Sequence, residues 1–257
     1  KNNPCPLTTV KGHVTLYIPK GGTMKHEIML IDGLNMFIRS YIVNPTIDSK
    51  GNPIGGCMGF LKSLQKVVRM FQPDEVVICW DGQGGSQRRK AQNKNYKAGR
   101  SPVRFNRRMY ELSPEEQEKN KAYQYMRLLE YLNEMPVVQV VADNIEADDI
   151  IAILARSDHY AERSKIIISS DKDFFQLLNE NTVLMRPIQK EVLNKNSILE
   201  KFNIHPTNFA LARALVGDKS DNIQGIGGLG LKTAAKRFPI FQNSKNVTIP
   251  ELISYSK

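Results

Sequence analysis

The 257-residue chain predicts an α/β fold, with a mostly parallel central sheet flanked by helices and a smaller helical module behind it. Three observations carry this. Five short apolar runs rich in Val and Ile alternate with helical patterns. Three of those runs end in an aspartate within two residues. After about residue 190 the strand pattern stops.

The runs are IMLI (28–31), VVICW (76–80), VVQVV (137–141), KIIIS (165–169) and TVLM (182–185). Continuous apolar runs of this length read as buried strands, because a parallel sheet is covered on both faces. Between them, CMGFLKSLQKVVRMF has apolar residues at 57, 60, 61, 64, 67, 68 and 71, and AYQYMRLLEYLNEM at 122, 125, 126, 129 and 132. IIAILA keeps the same helical period. Beyond 190 come SILEKFN, PTNFALARALVG and GLKTAAKRF, helical segments joined by tight turns. Residues 25–190 are therefore expected to form the α/β core and 191–257 a helical module.

Composition narrows the function. The chain is 41% hydrophobic and 24% charged, with net charge +10 and pI near 9.4, which suggests a polyanionic partner, nucleic acid or anionic membrane. Nine of the cations (Arg88, Arg89, Lys90, Lys94, Lys97, Arg100, Arg104, Arg107, Arg108) fall in 82–110, which holds no acid. Such a segment is expected to stay loosely held without a polyanion. It is rich in Gly, Asn and Gln, whereas a membrane-surface helix needs an apolar face, so a membrane role is not expected. No apolar run approaches the roughly 20 residues that cross a bilayer. Cys5, Cys57 and Cys79 are scattered and odd in number, which reads as free thiols in a reducing, cytoplasmic setting. Residues 1–24 lack the apolar block of a signal peptide and end at Met24, so they are expected to be an extension outside the fold.

The acids point to chemistry. IMLI leads to Asp32, VVICW to Asp81 and KIIISS to Asp171, and ligands of open parallel sheets bind beyond the carboxyl ends of the strands. NIEADD (144–149) adds Glu146, Asp148 and Asp149 at a helix start, Asp173 follows Asp171, and Asp218 and Asp221 lie in VGDKSDNIQG. A helix dipole explains one or two acids in a first turn, but not this triple directly after a strand. Nine converging carboxylates cannot all ionise without cations among them. Oxygen donors without His or Cys suit Mg²⁺, with Mn²⁺ as an alternative, and nine exceed one ion's needs. Two such ions are the usual device for phosphodiester cleavage.

GIGGLGLKTA (225–234) contains G-x-G-x-x-G as Gly225, Gly227 and Gly230, and nearly a phosphate loop. Both readings need a preceding strand, and here a helical segment and a polar turn precede it. Two short helices joined by a Gly-rich hairpin fit better. Gly225, Gly227, Gly228 and Gly230 would let a nucleic-acid phosphate approach, with Lys232, Thr233, Lys236 and Arg237 behind them.

LIDGLN, CWDG, NYKAGR, NIEADDIIA, SSDKDFFQL and GDKSDNIQGIGGLGLKTA stand in this order. Together, over about residues 27–240, they resemble the flap-endonuclease family, in particular the 5′ nuclease domain of bacterial DNA polymerase I and stand-alone phage relatives. The resemblance implies a PIN-like core and a Mg²⁺-dependent 5′-3′ exonuclease and flap endonuclease. It implies a first metal site of Asp32, Asp81, Glu146 and Asp148 and a second of Asp171, Asp173, Asp218 and Asp221, with Asp149 between them. Lys97 would be the active-site lysine with Tyr96 beside it. Arg39 and Arg88 would meet phosphates, Arg88 in a catalytic place that the spacing does not separate from Arg89. Residues 82–113, with Arg100 and Arg104, would form an arch passed by a 5′ single strand. Residues of about 206–238 would form a helix–three-turn–helix that holds duplex DNA and a K⁺ ion. The substrates implied are DNA with 5′ flaps or 5′ ends and RNA–DNA hybrids, cut by a monomer in a bacterial or phage-infected cell. The chain stops soon after the hairpin, where relatives continue, so a truncated C-terminus is one expectation. Two other readings remain at this point. A non-catalytic DNA-junction binder would not need all nine acids, and a PIN-like single-strand RNase would not need the glycine hairpin.

Overall fold

The structure is a computed structural model and describes residues 26–98 and 112–255. The expectations for 1–24 and for Arg100 and Arg104 lie outside the described residues. Strands β1 (Ile28–Asp32), β2 (Glu75–Trp80), β3 (Val138–Val141), β4 (Lys165–Ile168), β5 (Thr182–Arg186) and β6 (Glu191–Leu193) form one sheet in the order β3-β2-β1-β4-β5-β6. All neighbours are parallel except β5 and β6. The chain runs outward from β1 to β2 and β3, then returns to the other side of β1 as β4, so the strand order reverses between β1 and β4. A crevice opens beyond the strand ends at such a point.

Two expectations about strands change. β6 lies past residue 190, where no strand was expected. A three-residue EVL is too short to show a period and exists because Leu193 pairs with Leu184 of β5. VVQVV was read as buried, yet β3 is an edge strand, with Val138 and Val141 largely exposed. Apolar residues alone do not tell an edge from a centre; neighbours do.

Helices α1 (Gly33–Val43), α2 (Gly55–Phe71) and α4 (Pro114–Asn133) cover one face, and α3 (Gln87–Gln92) lies in the basic segment. β1 is buried on both sides. Met29 and Ile31 meet Phe37, Phe60, Leu64 and Leu128, while Ile28 and Leu30 face the opposite core. On that second face sit α5 (Ala147–Arg156), α6 (Lys195–Phe202), α7 (Phe209–Val216), α8 (Leu231–Arg237) and α9 (Ile249–Tyr255). Phe209, Ala212, Ala234 and Phe241 belong to the same apolar cluster as Ile28, Leu30 and Ile151. The helices after 190 thus share one core with the sheet, α6 lying against β6 and α7 packing on α8. Cys57 and Cys79 are free and buried. Among the described residues no helix is long and apolar enough to cross a membrane.

The α2 pattern buries as its spacing predicts, through Cys57, Phe60, Leu64, Val67 and Phe71. The α4 pattern is out of phase. Gln124, Leu128 and Leu132 are buried, and Met126 is exposed. The reason is polar. α2 starts after Ile54, which provides no side-chain cap, and the Gln124 Oε1 accepts from the N–H groups of Gly56 (2.7 Å) and Cys57 (3.2 Å) instead. Unpaired N–H groups at a buried helix start cost more than hiding one amide that satisfies them. We therefore expect Gln124→Leu to destabilise the fold by about 1–3 kcal/mol in urea unfolding. A change below about 0.5 kcal/mol, the level of ordinary surface substitutions, would contradict that role.

Candidate active site

The strand ends assemble the first group of acids. Ile31 pairs with Ile78 on one side and Ile168 on the other, so Asp32, Asp81 and Asp171 emerge on one edge of the sheet. Each is tied down locally. Asp32 caps α1 by accepting from the Asn35 N–H (3.0 Å), and its other oxygen accepts from the Ser169 Oγ (3.0 Å). Ser169 also accepts from the Asp171 N–H (3.1 Å), which joins the ends of β1 and β4. Asp81 accepts from the Ala147 N–H (2.7 Å) and so caps α5, whose own cap residue, Glu146, makes no side-chain bond to it. Helix starts favour such carboxylates electrostatically.

Gly82 lets β2 leave in this direction. A Cβ there would lie 1.8 Å from the Ala142 carbonyl oxygen, and the Gly82 N–H donates to the Ile145 carbonyl (3.0 Å). That close approach brings the 142–146 turn, and with it Asp148 in the first turn of α5, to the same edge.

The charges of these acids are felt mutually. Burial, and then the charges of Asp32, Asp171 and Asp81, push Asp148 up to about 8, against the pull of Lys97. Burial also raises Asp32 to about 6, although its bonds from Asn35 and Ser169 oppose this. Desolvation wins over two hydrogen bonds because neighbouring carboxylates add to it.

A second group closes more tightly. Asp173, Asp218 and Asp221 each offer an oxygen, and these lie within 4.8 Å of one another. Among the described residues, the other acids do not close to that spacing. Asp171 stands between the groups, since its charge raises Asp32, Asp148 and Asp173, and its Oδ1 accepts from the Asp173 N–H (2.9 Å). Asp149, expected in that place, turns instead to Arg89 (2.8 Å). Arg213 reaches Asp218 and also Asp173 (3.3 Å). Sequence reasoning passed over Arg213, although it is the one charged residue in FALARALV.

The foot of the basic segment supplies compensating cations. Glu146 is paired with Lys97 (2.6 Å) and with Arg89, and accepts from the Tyr96 hydroxyl (3.2 Å). The Lys97 Nζ lies 5.0 Å from the centre of the Tyr96 ring. Glu146 is thus gathered into a basic clamp at the start of α5. Arg89, not Arg88, makes these contacts; Arg88 is exposed one position round the short α3. The clamp is also laced to the second group. The Lys97 N–H donates to the Asp221 carbonyl (3.0 Å), and the Asn222 side chain to the Asn95 carbonyl (3.2 Å). The described part of the basic segment is therefore held by acids and carbonyls contributed from outside it, which its own composition does not reveal. On α1, the Arg39 Nη1 is buried with no hydrogen-bond partner among the described residues.

The glycine hairpin joins α7 to α8. Gly225 serves the chain itself, because a Cβ there would lie 2.1 Å from the Val216 backbone. Gly227, Gly228 and Gly230 have open space where a Cβ would stand, and Lys232 and Thr233 are exposed beside them. These four glycines, read as equivalent, thus divide into one that closes the turn and three that leave room outside it.

The raised carboxyls predict a pH dependence of stability for the protein kept in EDTA. With folded values near 6 and 8 against an ordinary 3.8, the native state holds more protons than the unfolded chain between about pH 4 and 8. Their contribution is complete at low pH and is lost as pH rises through 6 and then 8. The melting temperature should fall from pH 6 to 8.5, and Asp148→Asn should flatten that fall. Parallel curves for wild type and Asp148→Asn would contradict it.

Comparison with known proteins gives the family. Residues 27–203 match the family described as 5′-3′ exonuclease, N-terminal resolvase-like domain. The 5′-3′ exonuclease of Buchnera aphidicola is 32% identical over 231 residues, covering 88% of this chain and 74% of the relative. The thermostable DNA polymerase I of Thermus aquaticus is 30% identical over 228 residues, covering 88% of this chain but 25% of that polymerase. Among solved structures, bacteriophage T5 flap endonuclease in a complex with DNA and metal ions aligns with a TM-score of 0.65 at 20% identity, over 88% of this chain and 78% of that one. That likeness is one of fold. A sheet with acids at its reversal point, a basic clamp beside them and these sequence matches lead to one conclusion: the chain belongs to the 5′-3′ exonuclease family.

Proposed function

We propose that the protein hydrolyses DNA phosphodiesters as a 5′-3′ exonuclease and structure-specific flap endonuclease, using two or more Mg²⁺ ions. The carrying observation is the pair of carboxylate groups at the sheet edge with the Lys97 clamp beside them. The donor set fits the ions, being all oxygen and too crowded to ionise fully alone. Asp32, Asp81 and Asp148 would hold one ion and Asp173, Asp218 and Asp221 another, with Asp171 between them and Mn²⁺ able to replace Mg²⁺. Bound ions would supply an activated water and stabilise the leaving oxygen.

The chain's own groups do the rest of the work in this reading. Lys97, supported by Tyr96 and Arg89, meets the scissile phosphate and offsets charge as it develops. Arg39 has a buried donor to give to a neighbouring phosphate. The open side of Gly227, Gly228 and Gly230, with Lys232 and Thr233, receives the duplex as a helix–three-turn–helix, with K⁺ at the hairpin. Arg100 and Arg104 belong to the arch over the 5′ strand. RNA–DNA hybrids as further substrates, and a monomeric state, complete the reading.

The test is a 5′-labelled flap duplex incubated with Mg²⁺ or EDTA and read for product length. Cleavage near the branch with Mg²⁺ alone is expected. Tight binding without cleavage at any Mg²⁺ concentration would favour the junction-binding reading instead. Asp32→Asn and Asp171→Asn should slow single-turnover cleavage at least about a hundredfold while leaving DNA affinity within a few fold. Lys97→Ala should slow it by a comparable factor, about a hundredfold, since it removes a preorganised charge. A wild-type rate in either aspartate variant would count against metal at the sheet edge, and a wild-type rate in Lys97→Ala against its catalytic part.

A further inference from the structure

The two acid groups are compensated very differently. In the first, Asp32 and Asp81 are met by backbone N–H groups and a hydroxyl, and among the described residues no cation is paired with them; Lys97, which opposes the rise at Asp148, is itself paired with Glu146. In the second, both oxygens of Asp218 are already committed. Oδ1 accepts from the Ser220 N–H (2.7 Å) and hydroxyl (2.6 Å), and Oδ2 is paired with the Arg213 guanidinium. The same Arg213 nitrogen lies 3.3 Å from Asp173, and its Nη1 donates to the Gly217 carbonyl (3.3 Å). Arg213 rises from the last turn of α7, and its side chain is only 21% exposed, so it is held among these acids rather than swinging in solvent.

We propose that Arg213 is a built-in counter-charge of the second acid group, which a divalent ion must displace from Asp218 and Asp173, and which therefore keeps that group's metal affinity below that of the first. This rests on the reading that both groups take metal. A guanidinium cannot lose its charge at working pH, so it leaves only by moving. While it stays, it forks between two acids and holds them close without an ion. The cost is paid in affinity, because an arriving cation meets a site already neutralised. Arg213 is thus a positioning residue that sets the order of filling, first group before second.

Mn²⁺ binding to the 257-residue chain without DNA, followed by the loss of the free-ion paramagnetic resonance signal and by calorimetry, tests this. Wild type should show a tighter and a weaker class of sites. Arg213→Leu and Arg213→Gln should tighten the weaker class about tenfold or more, since a unit charge within a few ångströms is removed. Arg213→Lys, which keeps the charge, should stay near wild type. In EDTA the two neutral variants should melt lower than wild type, and saturating Mn²⁺ should restore most of the difference. If Arg213→Leu does not fold in EDTA, the titration on Arg213→Gln and Arg213→Lys decides. An unchanged or weakened second class in the neutral variants would overturn the role of Arg213 alone. Wild type binding no Mn²⁺, or binding it in one class, would overturn the two-group reading itself.

Discussion

Everything in the site depends on the parallel pairing of β1 with β2 on one side and β4 on the other. Because Ile31 is level with both Ile78 and Ile168, three chain segments distant in sequence leave the sheet together, and each leaves through an aspartate. The pairing is held by apolar residues buried on both faces of β1, and their combined burial exceeds the repulsion at the edge. The repulsion remains visible in Asp148, pushed up to about 8 by burial and by three neighbouring acids. The fold thus keeps a store of negative charge at a place where the core, not the site, supplies the stability.

The compensation for that charge comes in three forms. Asp32 and Asp81 sit at the starts of α1 and α5, where unpaired N–H groups need acceptors in any case. Glu146 is neutralised by Lys97 and Arg89 from the basic segment. Asp173 and Asp218 share Arg213. These differ in kind. A backbone dipole is only a partial charge and stays when an ion arrives, whereas a side-chain cation is a full charge and can swing away. Among the described residues, the Asp32 and Asp148 group is therefore the one with no cation paired to it, Lys97 acting on Asp148 while paired with Glu146.

The basic segment and the acids also hold one another in place. Lys97 in a left-handed backbone conformation gives its N–H to Asp221, while its side chain reaches Glu146. One residue thereby connects the foot of the segment, the start of α5 and the turn that carries the second acid group. On the same side, Gly225 closes the α7–α8 turn against Val216, and the remaining glycines leave its outer surface open. The turn is rigid on its inner side because backbone meets backbone there, and accessible on the other because no side chains stand in the way.

The amino-acid sequence by itself determined the five main strands, the α2 face, the aspartates at the strand ends and the glycine hairpin, because each is a local signal of period, spacing or backbone freedom. The family motifs added an order that accident does not produce. Only the tertiary structure decided the matters that depend on who meets whom. It made β3 an edge, formed β6 by pairing EVL with β5, and turned α4 so that Gln124 could cap α2. It took Glu146 and Asp149 toward Arg89, left Asp171 between the acid groups, and brought Arg213 from an apolar helix to Asp173 and Asp218. Helical period and strand alternation are written in residues a few positions apart, but an ion pair between residues 40 or 57 positions apart forms only when the sheet has already set its ends side by side.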